Sequence, residues 1–137
     1  MPARRWARAI ATGCAINLKP ASSTPMTELK LGELLLKAGL PEGACNVMPT
    51  ESRLAGPLIV DPRVKLVTFT GSGAVGWDIK ARAVRKKVCL ELGGNAAVLV
   101  EPSADLDYAV KRIAVGAFAH AGQVCISVQH ILLNDAI

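Results

Sequence analysis

The sequence predicts an α/β fold, a parallel sheet flanked by helices, and three observations predict it. Short aliphatic runs alternate with longer amphipathic segments along the whole chain, the pattern of βαβ units with parallel strands. Hydrophobic residues make up 51% of the 137 residues but aromatics only 4%, so the core has to be aliphatic, as in strands buried beneath helices. The stretch Leu66-Val67-Thr68-Phe69-Thr70-Gly71-Ser72-Gly73-Ala74-Val75-Gly76 reads as a buried strand running into a glycine turn that opens a helix. The length suits one compact domain.

Taken in order, Trp6 to Ala11 reads as a helix leading into a strand over Cys14 to Leu18. Arg4, Arg5, Arg8 and Lys19 precede the first acid, Glu28. That charge bias also suits a basic targeting segment, but direct continuation into a strand favours a structural helix. Lys19 to Ser23 is a turn, with Thr24 as N-cap and Pro25 at the first helical position. Leu31, Leu34, Leu35 and Ala38 keep helical spacing until Gly39 and Pro41 stop the helix. Ala44 to Met48 is a second strand, and 49–62 holds a loop with a short helix. After the glycine turn a helix is expected from about Val75 to Arg85. Strands follow over Lys87 to Leu92 and Ala96 to Val100. Asp105 caps a helix with Leu106, Ala109, Val110 and Ile113 on one face. Gly122 ends it, Cys125 lies just beyond, and Val128 to Leu133 is the last strand. There is no internal repeat, low-complexity segment or linker.

Composition excludes several classes of function. No apolar run reaches the roughly 18 residues of a membrane span. The formal charge of +5 permits weak attraction to anions. The basic residues are scattered, however, and few aromatics are available to stack on bases, so nucleic acid is not an expected partner. The densest cluster, Arg82 to Lys87, reads as a solvated helix end. None of the four cysteines, Cys14, Cys45, Cys89 and Cys125, has C-x-x-C spacing, and no histidine lies beside a cysteine pair, so no metal site is expected. No secretory signal is evident, and reduced thiols in the cytoplasm are the expectation.

The glycine turn spells G-x-G-x-x-G, and Glu91 follows Gly71 at about the spacing at which a dinucleotide fold places its ribose-binding acid. Glycines let a ligand approach the backbone, and the N–H groups at the helix start favour negative charge. On this evidence a conventional dinucleotide site and an ordinary strand-to-helix turn both remain open.

Five motifs point elsewhere: Leu18-Lys19-Pro20-Ala21, Gly39-Leu40-Pro41-Glu42-Gly43, Phe69-Thr70-Gly71-Ser72, Leu90-Glu91-Leu92-Gly93-Gly94-Asn95 and Gly122-Gln123-Val124-Cys125. In this order and spacing the chain resembles the NAD(P)-dependent aldehyde dehydrogenase superfamily over nearly all residues after Ala11. The resemblance implies a Rossmann-like cofactor domain, truncated, with residues 1–92 forming part of the NAD(P)-binding domain and 93–137 the start of the catalytic domain. It implies that Cys125 is the nucleophile that attacks an aldehyde carbonyl, and that Glu91 is the base that activates water against the resulting thioester. A soft nucleophile paired with a carboxylate is what that chemistry requires. Without the resemblance, Cys125 reads as a small buried hydrophobe and Glu91 as a solvated strand end.

The resemblance assigns the cofactor to Lys19, Ser22, Gly71, Ser72, Gly73, Ala74, Val75, Gly76 and Leu92. Lys19 matches the lysine on the adenosine ribose, Gly71 and Ser72 residues lying against the cofactor, and Val75 one packing on it. Ser22 stands where many NAD-preferring members carry a glutamate; lacking that charge, it implies NADP or dual use over NAD alone. A small aldehyde is the implied substrate and a homo-oligomer the implied state of full-length relatives.

The chain also departs from the family pattern. The asparagine that completes the family's oxyanion hole lies upstream of anything here, and the downstream catalytic portion is absent. Pro49-Thr50-Glu51 replaces the family's glycine-rich loop, and Met1 to Arg8 match poorly. An internal fragment, inactive alone, is therefore expected. The alternatives are a conventional dinucleotide-binding domain in which Glu91 holds ribose, and a non-catalytic remnant that binds nucleotide or a partner.

Overall fold

A computed structural model describes residues 2–137. The chain forms two compact units, Met1–Val64 and Lys65–Ile137. Among the described residues there are three βαβ crossovers, each closed by one parallel strand pair. The α/β class and the parallel strand direction are as the sequence implies. The strands are nevertheless hydrogen-bonded as three separate pairs and not as one continuous sheet.

The first unit begins with α1 (Pro2–Ala11), whose Trp6 is among the most buried side chains of the chain. Gly13, at φ 69°, turns the chain out of α1 so that the Cys14 amide reaches back to the Ala9 carbonyl at 2.8 Å, the usual glycine exit from a helix. Strand β1 (Ile16–Leu18) pairs with β2 (Cys45–Val47) across α2 (Met26–Lys37). Gly32 lets α2 lie close on β2: a Cβ there would fall 2.9 Å from Val47 Cγ2. That approach explains a glycine mid-helix, where it costs about 1 kcal/mol relative to alanine. Thr24 is not the cap expected of it. Pro25 occupies the N-cap position of α2, and no side chain caps the helix, because the turn brings a proline ring there instead of the threonine hydroxyl. The apolar face of α2 is only partly covered, with Leu31 and Leu35 half-buried and Leu34 exposed. The 49–62 region contains a single helical turn, Ser52–Leu54, and α3 (Gly56–Val60). Burial of Cys45 on β2 pushes its thiol pKa up.

In the second unit β3 (Leu66–Thr70) pairs with β4 (Lys87–Glu91) across α4 (Gly73–Arg82). Helix α4 starts two residues earlier than Val75 and ends before Arg85, which takes φ 64° in the turn to β4. Strand β5 (Ala96–Val100) pairs with β6 (Val128–Leu133) across α5 (Leu106–Phe118). Asp105 caps α5 as expected, accepting the Tyr108 amide at 3.0 Å. The covered stripe of α5 is narrower than predicted: Ala109 and Ile113 are half-buried, while Leu106 and Val110 stay exposed. No helix among the described residues is long and apolar enough to cross a membrane, and no group of metal-ligating side chains is found among them.

Candidate active site

The second unit carries most of the predicted residues, and a chain of close backbone approaches joins them. Strand β3 delivers the glycine turn, and parallel pairing sets Thr70 beside Glu91. The register is extended one step by the Gly71 amide, which donates to the Glu91 carbonyl at 3.1 Å. Glu91 is therefore fixed at the mouth of the turn. Alternation along β4 leaves its side chain exposed on the same face as Cys89, with Val88 and Leu90 turned inward.

Gly76, on the first turns of α4, is buried because the Leu92 side chain occupies the space a Cβ would need. Leu92 thus packs the Glu91 segment onto the helix that opens from the turn. Ser72 holds the N-cap position with extended backbone but makes no side-chain cap, and no acid lies in the first turn. The first turn itself therefore sets no anionic side chain against the N–H groups that helix geometry leaves without intrahelical partners. That is the donor set an anionic group can use. Gly73 has open space where a side chain would project. These features fit a cofactor phosphate approaching Ser72, Gly73 and Ala74, with Val75 exposed beside them, whereas at Gly71 the Phe69 ring takes the space a Cβ would need.

Two glycines beyond Leu92, the chain meets the cysteine turn. A Cβ on Gly94 would lie inside the 3.0 Å limit of the Cys125 carbonyl oxygen, whereas one on Gly93 would meet nothing within 4 Å. Cys125 itself occupies the turn 124–127, closed by the Ser127 amide on the Val124 carbonyl at 2.9 Å. Ser127 is the most buried polar residue among the described residues, 2% exposed, and its Oγ accepts from Gln129 Nε2 at 2.7 Å. The chain reaches this turn through His120, Ala121 and Gly122, three consecutive residues with positive φ of 49°, 55° and 75°. Such conformations in non-glycine residues carry strain on the order of 1–3 kcal/mol each and persist where the surroundings enforce them. Just beyond, β6 has an irregular register: Ala96 pairs with Val128 and Ala97 with His130, skipping Gln129. The Cys125 thiol is exposed, as a nucleophile must be.

Lys19 and Ser22 lie in the first unit. Ser22 lines a cleft of about 260 Å³, together with Pro20, Ala21 and Pro25 from its own segment and Pro49, Thr50 and Glu51 from another. Lys19 Nζ ties the segments together, donating to the Pro20 carbonyl at 2.7 Å and the Thr50 carbonyl at 3.4 Å. The cleft is smaller than the ~300–1,000 Å³ of a drug-sized ligand pocket, a size for part of a cofactor. Sequence reasoning did not single out Ser127 or Gln129, and it named Gly94 only as a member of the Leu90 to Asn95 motif, with no role of its own. Nothing in the sequence marks Ser127 as an anchor.

The aldehyde dehydrogenase family model matches residues 1–137. The chain belongs to the aldehyde dehydrogenase family. The match includes residues 1–11, which the motifs alone had left out. Among similar curated proteins are the mitochondrial succinate-semialdehyde dehydrogenase of Arabidopsis thaliana, 44% identical over all of this chain and 26% of that protein, and the NADP(+) succinate-semialdehyde dehydrogenase GabD of Escherichia coli, 39% identical over all of this chain and 29% of that protein. Among solved structures, aldehyde dehydrogenase 21 of Physcomitrella patens, in complex with the reaction product succinate, is 48% identical with a TM-score of 0.84, over 93% of this chain and 27% of that one. The chain thus spans between a quarter and a third of the length of the relatives it matches.

Proposed function

We propose that this chain carries the nucleophile, the base and part of the cofactor site of an enzyme that oxidises a small aldehyde to a carboxylic acid with NAD(P)+. The observation that carries the reading is the contact of Gly94 with the Cys125 backbone. It sets the end of the Glu91 strand against the cysteine turn, so both candidate groups belong to one local structure. In this reading the Cys125 thiolate attacks the aldehyde carbon, forming a C–S bond and a thiohemiacetal. Bound NAD(P)+ supplies the two-electron acceptor that makes a thioester from that adduct. Glu91 takes a proton from water, the hydroxide attacks the thioester carbon, and the C–S bond breaks to return Cys125 as thiolate.

The family resemblance assigns cofactor contacts to Lys19 and Ser22, and to Gly71 to Gly76 with Leu92. The lack of a carboxylate at Ser22 favours NADP or dual use. We place the functional boundary after Leu92, where the cofactor segment gives way to the segment bearing the nucleophile. The names of the relatives point to an aldehyde that also bears a carboxylate, such as a semialdehyde.

The test uses a chimera in which a relative supplies the flanking segments. Glu91→Gln should stall thioester hydrolysis and leave the cofactor dissociation constant nearly unchanged. A large rise in that constant with normal turnover would show instead that Glu91 holds ribose.

A further inference from the structure

We infer that Glu51 is a specificity-determining residue: from the second segment of the cofactor cleft it supplies a negative charge that favours a ribose diol over a ribose 2′-phosphate. The inference rests on the reading of this cleft as the adenosine end of the cofactor site. Glu51 lines the same cleft as Ser22, although the two lie on separate segments of the chain. Those segments are held in place by Lys19, whose ammonium is already bonded to the Pro20 and Thr50 carbonyls. Glu51 therefore brings to the lining of the cleft an acidic residue that Ser22 does not. Glu51 stands on the Pro49-Thr50-Glu51 stretch that replaces a glycine-rich loop, so the charge arrives with the departure from the family pattern.

The Glu51 carboxylate is paired with the Arg53 guanidinium. Both side chains are mostly exposed, at 65% and 74%, and Arg53 does not line the cleft. Such a surface pair is weak and screened by salt, so Arg53 reduces the field of Glu51 in the cleft without cancelling it. A ribose diol can donate hydrogen bonds to a carboxylate, whereas a 2′-phosphate only repels it. Ser22 and Glu51 then act in opposition, and their balance sets the ratio of NADP to NAD affinity.

The experiment titrates the chain with adenosine 5′-monophosphate and with adenosine 2′,5′-bisphosphate, which differ only in the 2′-phosphate. Calorimetry reads affinity, and amide shifts at Ser22 and Thr50 locate the site. Glu51→Gln should raise affinity for the bisphosphate relative to the monophosphate by about fourfold, the scale of an exposed charge coupling, and the gain should shrink as salt is raised. Arg53→Gln, which leaves Glu51 without its counter-charge, should move the ratio the other way. An unchanged ratio in both variants, with both nucleotides still bound beside Ser22, would overturn the role of Glu51 and leave the cofactor reading standing. Failure of both nucleotides to bind the unaltered chain there would overturn the cofactor reading, and this inference with it.

Discussion

Gly94→Ala is expected to disturb the cysteine turn in a way that the neighbouring Gly93→Ala does not. The added methyl at Gly94 would fall closer than 3.0 Å to the Cys125 carbonyl oxygen, where ordinary contact begins at 3.4 Å. The obstructing atom is backbone, so no rotamer change relieves the clash, and the turn has to move by more than ~0.4 Å to restore contact distance. Overpacking of this kind costs about 1–3 kcal/mol. At Gly93 a methyl meets open space, and the cost should stay within ~0.5 kcal/mol, as at other surface sites. The local readout is the rate at which iodoacetamide labels each cysteine, resolved by peptide mass spectrometry. Exposed Cys14 and Cys89 are internal references, and Cys45, buried and with its thiol pKa pushed up, is the slow standard. Gly94→Ala should change the Cys125 rate by at least about threefold against Cys14, with Gly93→Ala near unity. In an active chimera a misplacement approaching 1 Å should cost on the order of 10²-fold in kcat. Equal effects of the two substitutions on Cys125 would refute the claim that Gly94 sets the position of the turn.

Two further predictions follow from the same geometry. Ser22→Glu, in a chimera with a relative's flanking segments, should weaken NADP much more than NAD, since a second carboxylate would then face the 2′-phosphate; equal effects on dissociation constants would refute the charge argument. The chain purified alone should form no NAD(P)H from short aldehydes and should associate. Two separate units each of half its 14.4 kDa would together expose about 8,200 Å² by the usual scaling, yet the chain exposes 10103 Å². The excess includes Leu99, Val110, Val115 and Phe118, each at least 60% exposed, and apolar area of that extent favours self-association. Light scattering that shows a monodisperse monomer, together with turnover that stops in Cys125→Ala, would contradict this.

The order and direction of the strands were legible because the strand runs are aliphatic, most have a glycine or proline near one or both ends, and the longer segments between them have helical period. Asp105 could be identified as a cap because an acid before an apolar-periodic run has little else to do. Thr24 could not be excluded in the same way, since one residue of slip moves a proline to the cap. The exposure of Leu34, Leu106 and Val110 was also hidden. Periodicity marks which face is apolar and says nothing about whether a partner is present to cover it. Of the site, the glycine turn, Glu91 and Cys125 were legible as motifs. Their connection was not, because it runs through backbone approaches: Gly71 on the Glu91 carbonyl, Leu92 in the space beside Gly76, and Gly94 against Cys125. A glycine in a sequence does not reveal which atom it makes room for.

The central claim is that Cys125 is the nucleophile and Glu91 releases the product from it. The most direct measurement is intact-protein and peptide mass spectrometry of the Glu91→Gln chimera, quenched in acid after mixing with NAD(P)+ and a semialdehyde. An added mass equal to the acyl group of the substrate is expected, confined to the peptide containing Cys125 and absent in the Cys125→Ala double variant. An acyl adduct on Cys14, Cys45 or Cys89, or aldehyde oxidation that persists in Cys125→Ala, would contradict it.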